Sequence, residues 1–523
     1  MSGVKLNLDV TEFKKTLAAR SHFYGDPGSD KIIRSKEIQY QVVIDESHNA
    51  SVYLDNLIFI DCIFFETVDI GSLKTAGRVI FENCHFKKNV KIATNENVAF
   101  DGQTFFEKDV TFSGLRHGKS VITNFELRGT LIIQSDSSVH LELNEINTKS
   151  KSRECSIFLS LSKGFLFVYH VFANGLSVTS SAIHTTEYRI SNVRANVLTI
   201  NGGAPEPPIR ITNSIIDRFD ASSHAGTKPN FFIVACRITE MTLRAQQIKS
   251  AHLAESTVAS LTILDSLSEG AKIRIQEIEL VLLSFNNFFN NGDLYLGRIN
   301  VSKFGKVIFR RSDLGQAKII SCDFSKAKFE FENSEISELF LSESKFPRRA
   351  TTDSKYNPQQ SQLAFGQLSV AYSIQGDRVN ALDQQARELD AYYHSLKKKF
   401  PNNFIDLVNL WFNKVSNDFG RNWLLGVIFT FSFGIIAFLL IVESSFEHFL
   451  GLQSFSTAAL FATFFKFMNP IRFFNTDELF GAAAGKPRLE LTGWSYVIDF
   501  TARIFIAYGY YQTIQAFRRF GRS

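Results

Sequence analysis

The sequence predicts a mainly-β fold class: a right-handed parallel β-helix or solenoid, then an α-helical connector, then a C-terminal α-helical transmembrane hairpin. Three observations predict it. Phenylalanine-rich segments repeat with a period near twenty, helical spacing replaces that repeat after residue 360, and Trp423–Val442 (WLLGVIFTFSFGIIAFLLIV) carries no charge. They divide the chain into a cap region (1–50), a solenoid (51–348), a connector (361–418) and a hairpin (421–520).

The opening stretch MSGVKLNLDVTEFKK lacks the apolar run of a secretion signal, so the solenoid is expected in the cytosol. Cys62, Cys84, Cys155, Cys236 and Cys322 are far apart and form no CxxC or Cys/His zinc spacing. They read as small buried residues in a reducing compartment. A net charge of +5 without a block of like charge gives no nucleic-acid footprint. The chain has 52 phenylalanines against 3 tryptophans, which calls for a repeat that turns Phe inward.

That repeat aligns by eye in LIFIDCIFFETVDI (Leu57–Ile70), VIFENCHFKKNVKI (Val79–Ile92) and VAFDGQTFFEKDVTF (Val98–Phe112). Phe59, Phe81 and Phe100 correspond, as do Phe64, Phe86 and Phe105, and the fourth unit places Phe125 twenty residues later. Short alternating strands at this period describe a coil that stacks on its own copies, each burying its apolar face against its neighbours. The pattern blurs from Lys149 to Pro229, with GGAPEPP (Gly202–Pro208) as an excursion loop. It returns clearly in Phe309–Phe346, where Leu314, Phe324, Ile336 and Phe346 recur at steps of 10 to 12, half a coil each. An Asn/Ser/Asp residue followed by Cys/Glu/Ser marks each corner.

After a polar linker (Pro347–Gln360), Gln362–Ile374 and Asp377–Lys398 read as an αα-hairpin, with Asp377 as N-cap after Gly376. Val379, Leu382, Ala386, Leu389 and Tyr392/Tyr393 share one face of its second helix. A third helix aligns Phe404, Leu407, Val408, Trp411, Phe412 and Val415, a face suited either to a membrane interface or to packing on the other helices.

At about 1.5 Å per residue, the twenty residues of Trp423–Val442 reach the ~30 Å of a bilayer's hydrocarbon core. Trp494–Phe517 is as long but contains Asp499 and Arg503, four residues apart and so able to pair on one helix face. With Gln512 and Gln515 they are candidates either for a buried structural pair or for the polar lining of a pore. Lys397–Lys399 and Arg421 precede the first crossing; Arg518, Arg519 and Arg522 follow the second, which places both termini in the cytoplasm of an inner-membrane protein. Phe446–Phe474, between the crossings, breaks at Gly451 and at Asn469-Pro470. It reads as a re-entrant or interfacial segment with Ser454, Ser456, Thr457, Lys466, Asn469 and Pro470 at its polar and turn positions. No TVGYG-like filter follows it; FKFMNPIRFF stands there instead.

The segment QLAFGQLSVAYSIQGDRVNALDQQARELDAYYHSLKKKF (Gln362–Phe400) resembles the connector of bacterial membrane-anchored pentapeptide-repeat proteins, and YGYYQTIQAFRRFG (Tyr508–Gly521) is similar to their terminal helix. The resemblance implies a repeat solenoid upstream and, as in some relatives, a two-transmembrane module similar to a potassium channel. The repeats here lack a regular A(D/N)Lxx code.

Nothing in the sequence points to catalysis or a cofactor. No HExxH occurs, and GAAAGKP (Gly481–Pro487) is one residue short of a P-loop and lacks its Ser/Thr. Two functions of different class remain. In one, the solenoid senses or assembles and the hairpins of a homo-oligomer form an ion-conducting or membrane-perturbing pore, as a stress or phage-defence effector would. In the other, the hairpin is an anchor in the lipid bilayer and the solenoid is a scaffold for a cytoplasmic protein partner.

Overall fold

A computed structural model describes residues 31–34, 37–39, 41–44, 57–71, 79–93, 98–113, 118–147, 156–180, 187–202, 208–222, 228–352, 355–398, 401–445, 457–472 and 493–520. They belong to two compact units, Met1–Pro347 and Arg348–Ser523.

The first unit is a parallel β-solenoid of about 11 turns. Its coil begins inside the stretch assigned to a cap: Lys31–Arg34 pairs in parallel with Leu57–Ile60, and Val42–Ile44 with Val68–Ile70. Val68, Val90, Val110 and Leu131 lie on one another in successive coils. Two columns of phenylalanine fill the N-terminal core. Phe59, Phe81 and Phe100 stack with centroids 5.1 and 5.6 Å apart, and Phe64, Phe86 and Phe106 at 4.6 and 4.7 Å. These spacings are close to the ~4.8 Å between paired strands, so the rings are layered by the backbone itself.

The second column corrects the alignment read from the sequence, because Phe106 rather than Phe105 continues it. Asp101 pairs with Glu82 and Phe106 with Phe86, so two residues, Gly102 and Gln103, stand where the coil before has only Asn83 before its Cys84. The extra residue shifts everything after it by one, and Phe105 turns outward against His85 and the Arg128 guanidinium. Phe125 accordingly lies on Thr104, and Leu127 continues the column.

Many of the corners share one construction. A residue in the left-handed region (Asn83, Asn213, Ala235, Glu255, Asn333 and Glu343, with φ 45–55°) turns the chain, and a small Cys or Ser follows it. The hydroxyl of that Ser accepts the backbone N–H one coil earlier: Ser214 from Val193, Ser256 from Cys236, Ser334 from Ser312 and Ser344 from Cys322, at 3.0–3.1 Å. Cysteines take the same place, and the thiols of Cys84, Cys236 and Cys322 donate to backbone carbonyls. Burial pushes the Cys322 thiol up to about 11, which keeps it an unreactive packing group. Cys155 lies outside the described residues.

The blurred region continues the coil without a break. Leu176, Leu198, Phe219, Met241, Leu261, Leu283, Val307 and Phe329 form one inward column in register. Aliphatic residues replace the phenylalanines there, which hides the period by eye. The excursion loop is outside the described residues, save its ends. Near the C-terminal end Leu314 and Ile336 occupy one corner, and Phe324 and Phe346 the opposite one, as the half-coil spacing requires.

The second unit contains six described helices: α1 (Pro358–Ile374), α2 (Arg378–Lys397), α3 (Phe404–Asn417), α4 (Trp423–Ser445), α5 (Thr457–Phe467) and α6 (Gly493–Phe520). α1 starts earlier than its sequence pattern, because Asn357 caps it through the N–H groups of Gln359 and Gln360 and Pro358 occupies its first turn. Asp377 caps α2 as expected, accepting from Asn380 N at 3.1 Å. The buried face of α2 is Ala381, Gln384, Ala386, Ala391, Ser395 and Leu396; of the face read from the sequence, Ala386 is buried, Leu382, Leu389, Tyr392 and Tyr393 are half-buried, and Val379 is exposed. Small side chains let α1 come close, and Ser369 reaches the Ala381 carbonyl at 2.9 Å. Three left-handed residues, Asp418, Phe419 and Gly420, end α3 and turn the chain into α4.

The register is testable. Phe86→Ala removes a ring buried between two others and should destabilise the solenoid by about 3–5 kcal/mol. Phe105→Ala, on the outer surface, should cost about 1 kcal/mol or less. Limited proteolysis should therefore cut the first variant far faster; equal rates would refute the one-residue shift.

Candidate functional site

Among the described residues, α4 is the one helix long and apolar enough to cross a membrane, by length and composition. α6 runs antiparallel beside it over its whole length. Trp423 meets Phe517 at one end (4.7 Å between rings), and Ser444 Oγ lies 2.8 Å from Ser495 Oγ at the other. Between these points the helices touch through a reciprocal pair of motifs that the sequence reading missed, Gly426-x3-Thr430 and Gly509-x3-Thr513. A side chain at Gly426 would press on Thr513 Cα at 3.2 Å, and one at Gly509 on Thr430 Cβ at 3.0 Å. Each threonine hydroxyl returns to the carbonyl of the glycine on its own helix, Thr430 to Gly426 at 2.7 Å and Thr513 to Gly509 at 2.9 Å. Small residues at four-residue spacing are the available signal for such an approach.

The polar residues of α6 point into this seam. Asp499 is buried, and Arg503 reaches it at 2.7 Å from one turn on, as their spacing predicts. A third member was not foreseen in that role: Arg472, just after α5, also binds Asp499, and its carbonyl accepts from Arg503 at 2.6 Å. Its guanidinium lies 4.2 Å from the centre of the Phe467 ring. Two cations therefore share one carboxylate inside a single chain. Gln512 is buried and accepts from Asn417 at the end of α3, while Gln515 is half-exposed and takes no part in that contact. The structure thus divides the four predicted polar positions between an ion cluster and a helix-end clasp, and leaves Gln515 on the rim.

Of the re-entrant segment, Ser454 and Ser456 lie outside the described residues. Thr457 opens α5, Lys466 is exposed on its last turn, and Asn469-Pro470 form the turn after it. Asn469 is exposed and accepts from Ile471 N at 3.1 Å. α5 packs on α4 through Phe464, Phe467 and Met468 against Phe438, and Gly434 makes room for the Met468 sulfur. Phe461, Phe465 and Ile471 stay on the outside.

What the helix pair presents outward is apolar. On α4 the exposed side chains include Leu424, Ile428, Phe431, Ile435, Ile436, Leu439 and Leu440. From Trp494 to Phe517, α6 exposes aromatic and aliphatic residues, Tyr496, Tyr510 and Tyr511 among them, and one threonine, Thr501, whose hydroxyl is bonded to the Val497 carbonyl at 2.8 Å. Its two charges raise the polarity of the sequence but not of the outer surface.

The solenoid carries a second arrangement, on its outer face. Phe167, Arg189, Arg210, Phe232, His252, Arg274, Tyr295, Lys318 and Phe340 pair one on the next, a single file of aromatic and basic residues. Phe232 and His252 stack at 4.9 Å, Arg210 covers Phe232, and Arg274 covers Tyr295 at 4.7 Å. Arg189 is neutralised by Glu187 at 2.6 Å, but Arg210 and Arg274 form no ion pair among the described residues. Burial, and then the charge of Arg274, hold His252 below its ordinary value, so it is neutral at pH 7. Sequence reading could not find this file, because its members are some twenty residues apart and belong to nine different coils.

Among the described residues no group of three or more His, Cys, Asp or Glu side chains is placed to hold a metal ion. Comparison with protein-family models, with curated proteins and with solved structures finds no match to this chain.

Two outcomes follow from the packing of the helix pair. Gly509→Val should lower the thermal aggregation midpoint of the detergent-solubilised protein, whereas Ala507→Val, on the exposed side of α6, should leave it unchanged. Asp499→Asn leaves the nearly buried Arg472 and the half-buried Arg503 without their carboxylate and should cost up to about 3–5 kcal/mol. Replacing the whole cluster (Asp499→Leu, Arg472→Met, Arg503→Met) should restore the folded yield, since apolar substitutes of similar volume are often neutral. A triple variant as unstable as Asp499→Asn would show that the ion cluster is itself required.

Proposed function

We propose that this chain is a membrane-tethered β-solenoid that holds a protein partner at the membrane surface, with α4 and α6 as its anchor. The observation that carries the reading is the inside-out polarity of the helix pair. Its outer surface is apolar over most of the length of a bilayer, with Glu443 exposed at the last turn of α4, and the two charged groups between Trp494 and Phe517, Asp499 and Arg503, are turned inward and paired within the chain. An exposed apolar belt of this size is what lipid covers. Arg421 and Arg518 flank the same end of the antiparallel pair, which supports a cytoplasmic position for both basic flanks by the positive-inside rule. Exposed Phe404, Ile405 and Trp411 on α3 suit the interface beside that end.

The aromatic and basic file supports recognition by the solenoid. Rigid strands hold Phe232, Tyr295 and the uncompensated Arg210 and Arg274 in fixed places, the residue types that anchor protein interfaces. An acidic protein surface is their complement. Kinship with bacterial membrane-anchored pentapeptide-repeat proteins, and with it an inner-membrane location, belongs to the same proposal and is supported by the connector residues Gln362–Phe400.

One observation favours the pore reading as an alternative: the cluster at Asp499 holds two cations to one anion, an excess that an anchor does not need. An oligomer of hairpins conducting ions, as a stress or defence effector would, uses that charge.

The two are separated with the full-length protein in liposomes and in cells. The anchor reading expects no ion flux from the wild type under any condition. It also expects a membrane-bound protein partner, retained by the wild type and by Arg218→Glu elsewhere on the solenoid, to be lost with Arg210→Glu/Arg274→Glu. Flux that disappears in the Asp499 variants would overturn it in favour of the pore.

A further inference from the structure

The connector of the second unit encloses a cavity of about 720 Å³, inside the range of small-molecule sites. Four guanidiniums line it, from Arg348, Arg349, Arg387 and Arg421. Three carboxylates are present too, and each is already engaged. Asp383 binds Arg387 at 2.7 Å and Arg421 at 3.8 Å, Asp418 binds Arg421 at 2.9 Å, and Asp390 binds Lys414 at 2.6 Å. Arg348 and Arg349 form no ion pair among the described residues, so two positive charges face the cavity uncompensated. Burial, and the nearby Arg421 and Arg348 against the opposing pull of Asp383, hold Arg387 below its ordinary value; it remains charged and poorly solvated. Convergent guanidiniums with two spare charges match a phosphate group better than a carboxylate, because each fork offers parallel N–H donors to several oxygens.

The cavity is also larger than a phosphate needs. Phe365 is buried in its wall under Arg387, and Tyr356 meets the His394 ring edge to face at 6.0 Å. This wall suits the carbon part of an organic phosphate. Arg421, in the cavity lining, is two residues before Trp423, where α4 begins, so the cavity adjoins the start of the candidate span.

We propose that this arginine-lined cavity of the connector binds the phosphate group of a phosphorylated organic ligand. The group comes either from a soluble compound or from a lipid headgroup; the lipid source rests on the anchor reading, and the soluble source does not.

The test uses the full-length protein in a phosphate-free detergent, titrated separately with inorganic pyrophosphate and with dioctanoyl phosphatidic acid while binding is followed calorimetrically. Arg348→Ala/Arg349→Ala removes exposed side chains that hold no internal partner, so it should fold; Arg218→Ala on the solenoid is the control. Binding by the wild type that weakens about tenfold or more in the double variant, and not in the control, supports the site. Response to the phosphatidic acid alone assigns a lipid source, and response to pyrophosphate a soluble one. No binding of either probe to the wild type, or equal binding by the double variant, overturns the proposal. So does a control that weakens as much as the double variant, since the effect would then be net charge alone.

Discussion

The bond from a corner serine or cysteine to the neighbouring coil is the constraint on which the solenoid depends. A chain that turns sharply every ten or so residues leaves a backbone N–H inside each corner, where water cannot reach it. A left-handed residue makes the turn, and the Ser hydroxyl of the next coil accepts that N–H at 3.0–3.1 Å. Where a serine stands there, it ties its coil to the one before. Once corners are in register, the inward columns follow, and the phenylalanine rings stack at the spacing of the strands. Cys62, Cys84, Cys236 and Cys322 therefore serve as packing residues at corners rather than as reactive thiols.

The helix pair obeys the opposite polarity rule with the same economy of backbone groups. Hydroxyls of Thr430, Thr501 and Thr513 are returned to carbonyls on their own helices, and the charges of Arg472, Asp499 and Arg503 meet in the seam. Glycines at 426 and 509 allow the helices to approach closely enough to cover these groups. The seam and the outer belt are two sides of one arrangement: burying these polar groups leaves mostly apolar side chains outside.

Both proposed binding sites are built on positive charge that no carboxylate among the described residues holds. Arg189, Arg387 and Arg503 are each held by a neighbouring carboxylate. Arg210 and Arg274 on the solenoid, and Arg348 and Arg349 in the connector, are not. Each pair stands beside aromatic rings, one on an open face and the other in a cavity, and on these two settings the proposed partner surface and the proposed phosphate site rest.

The sequence by itself determined the stacked coil, the αα-hairpin with its Asp377 cap, the apolar helix at Trp423 and the pairing of Asp499 with Arg503. Those features depend on local periodicity or on spacings within one helix turn, which a linear chain displays directly. Tertiary structure alone decided the rest. One extra residue at Gly102-Gln103 moved Phe106 into the core in place of Phe105, because side chains alternate in and out and a single insertion reverses them. Arg472 joined Asp499, and Gln512 joined Asn417, across separations that no pattern encodes. The outward file from Phe167 to Phe340 exists only because nine coils superimpose. Sequence sets which residues face in or out locally, but the stacking of distant segments chooses which of them meet.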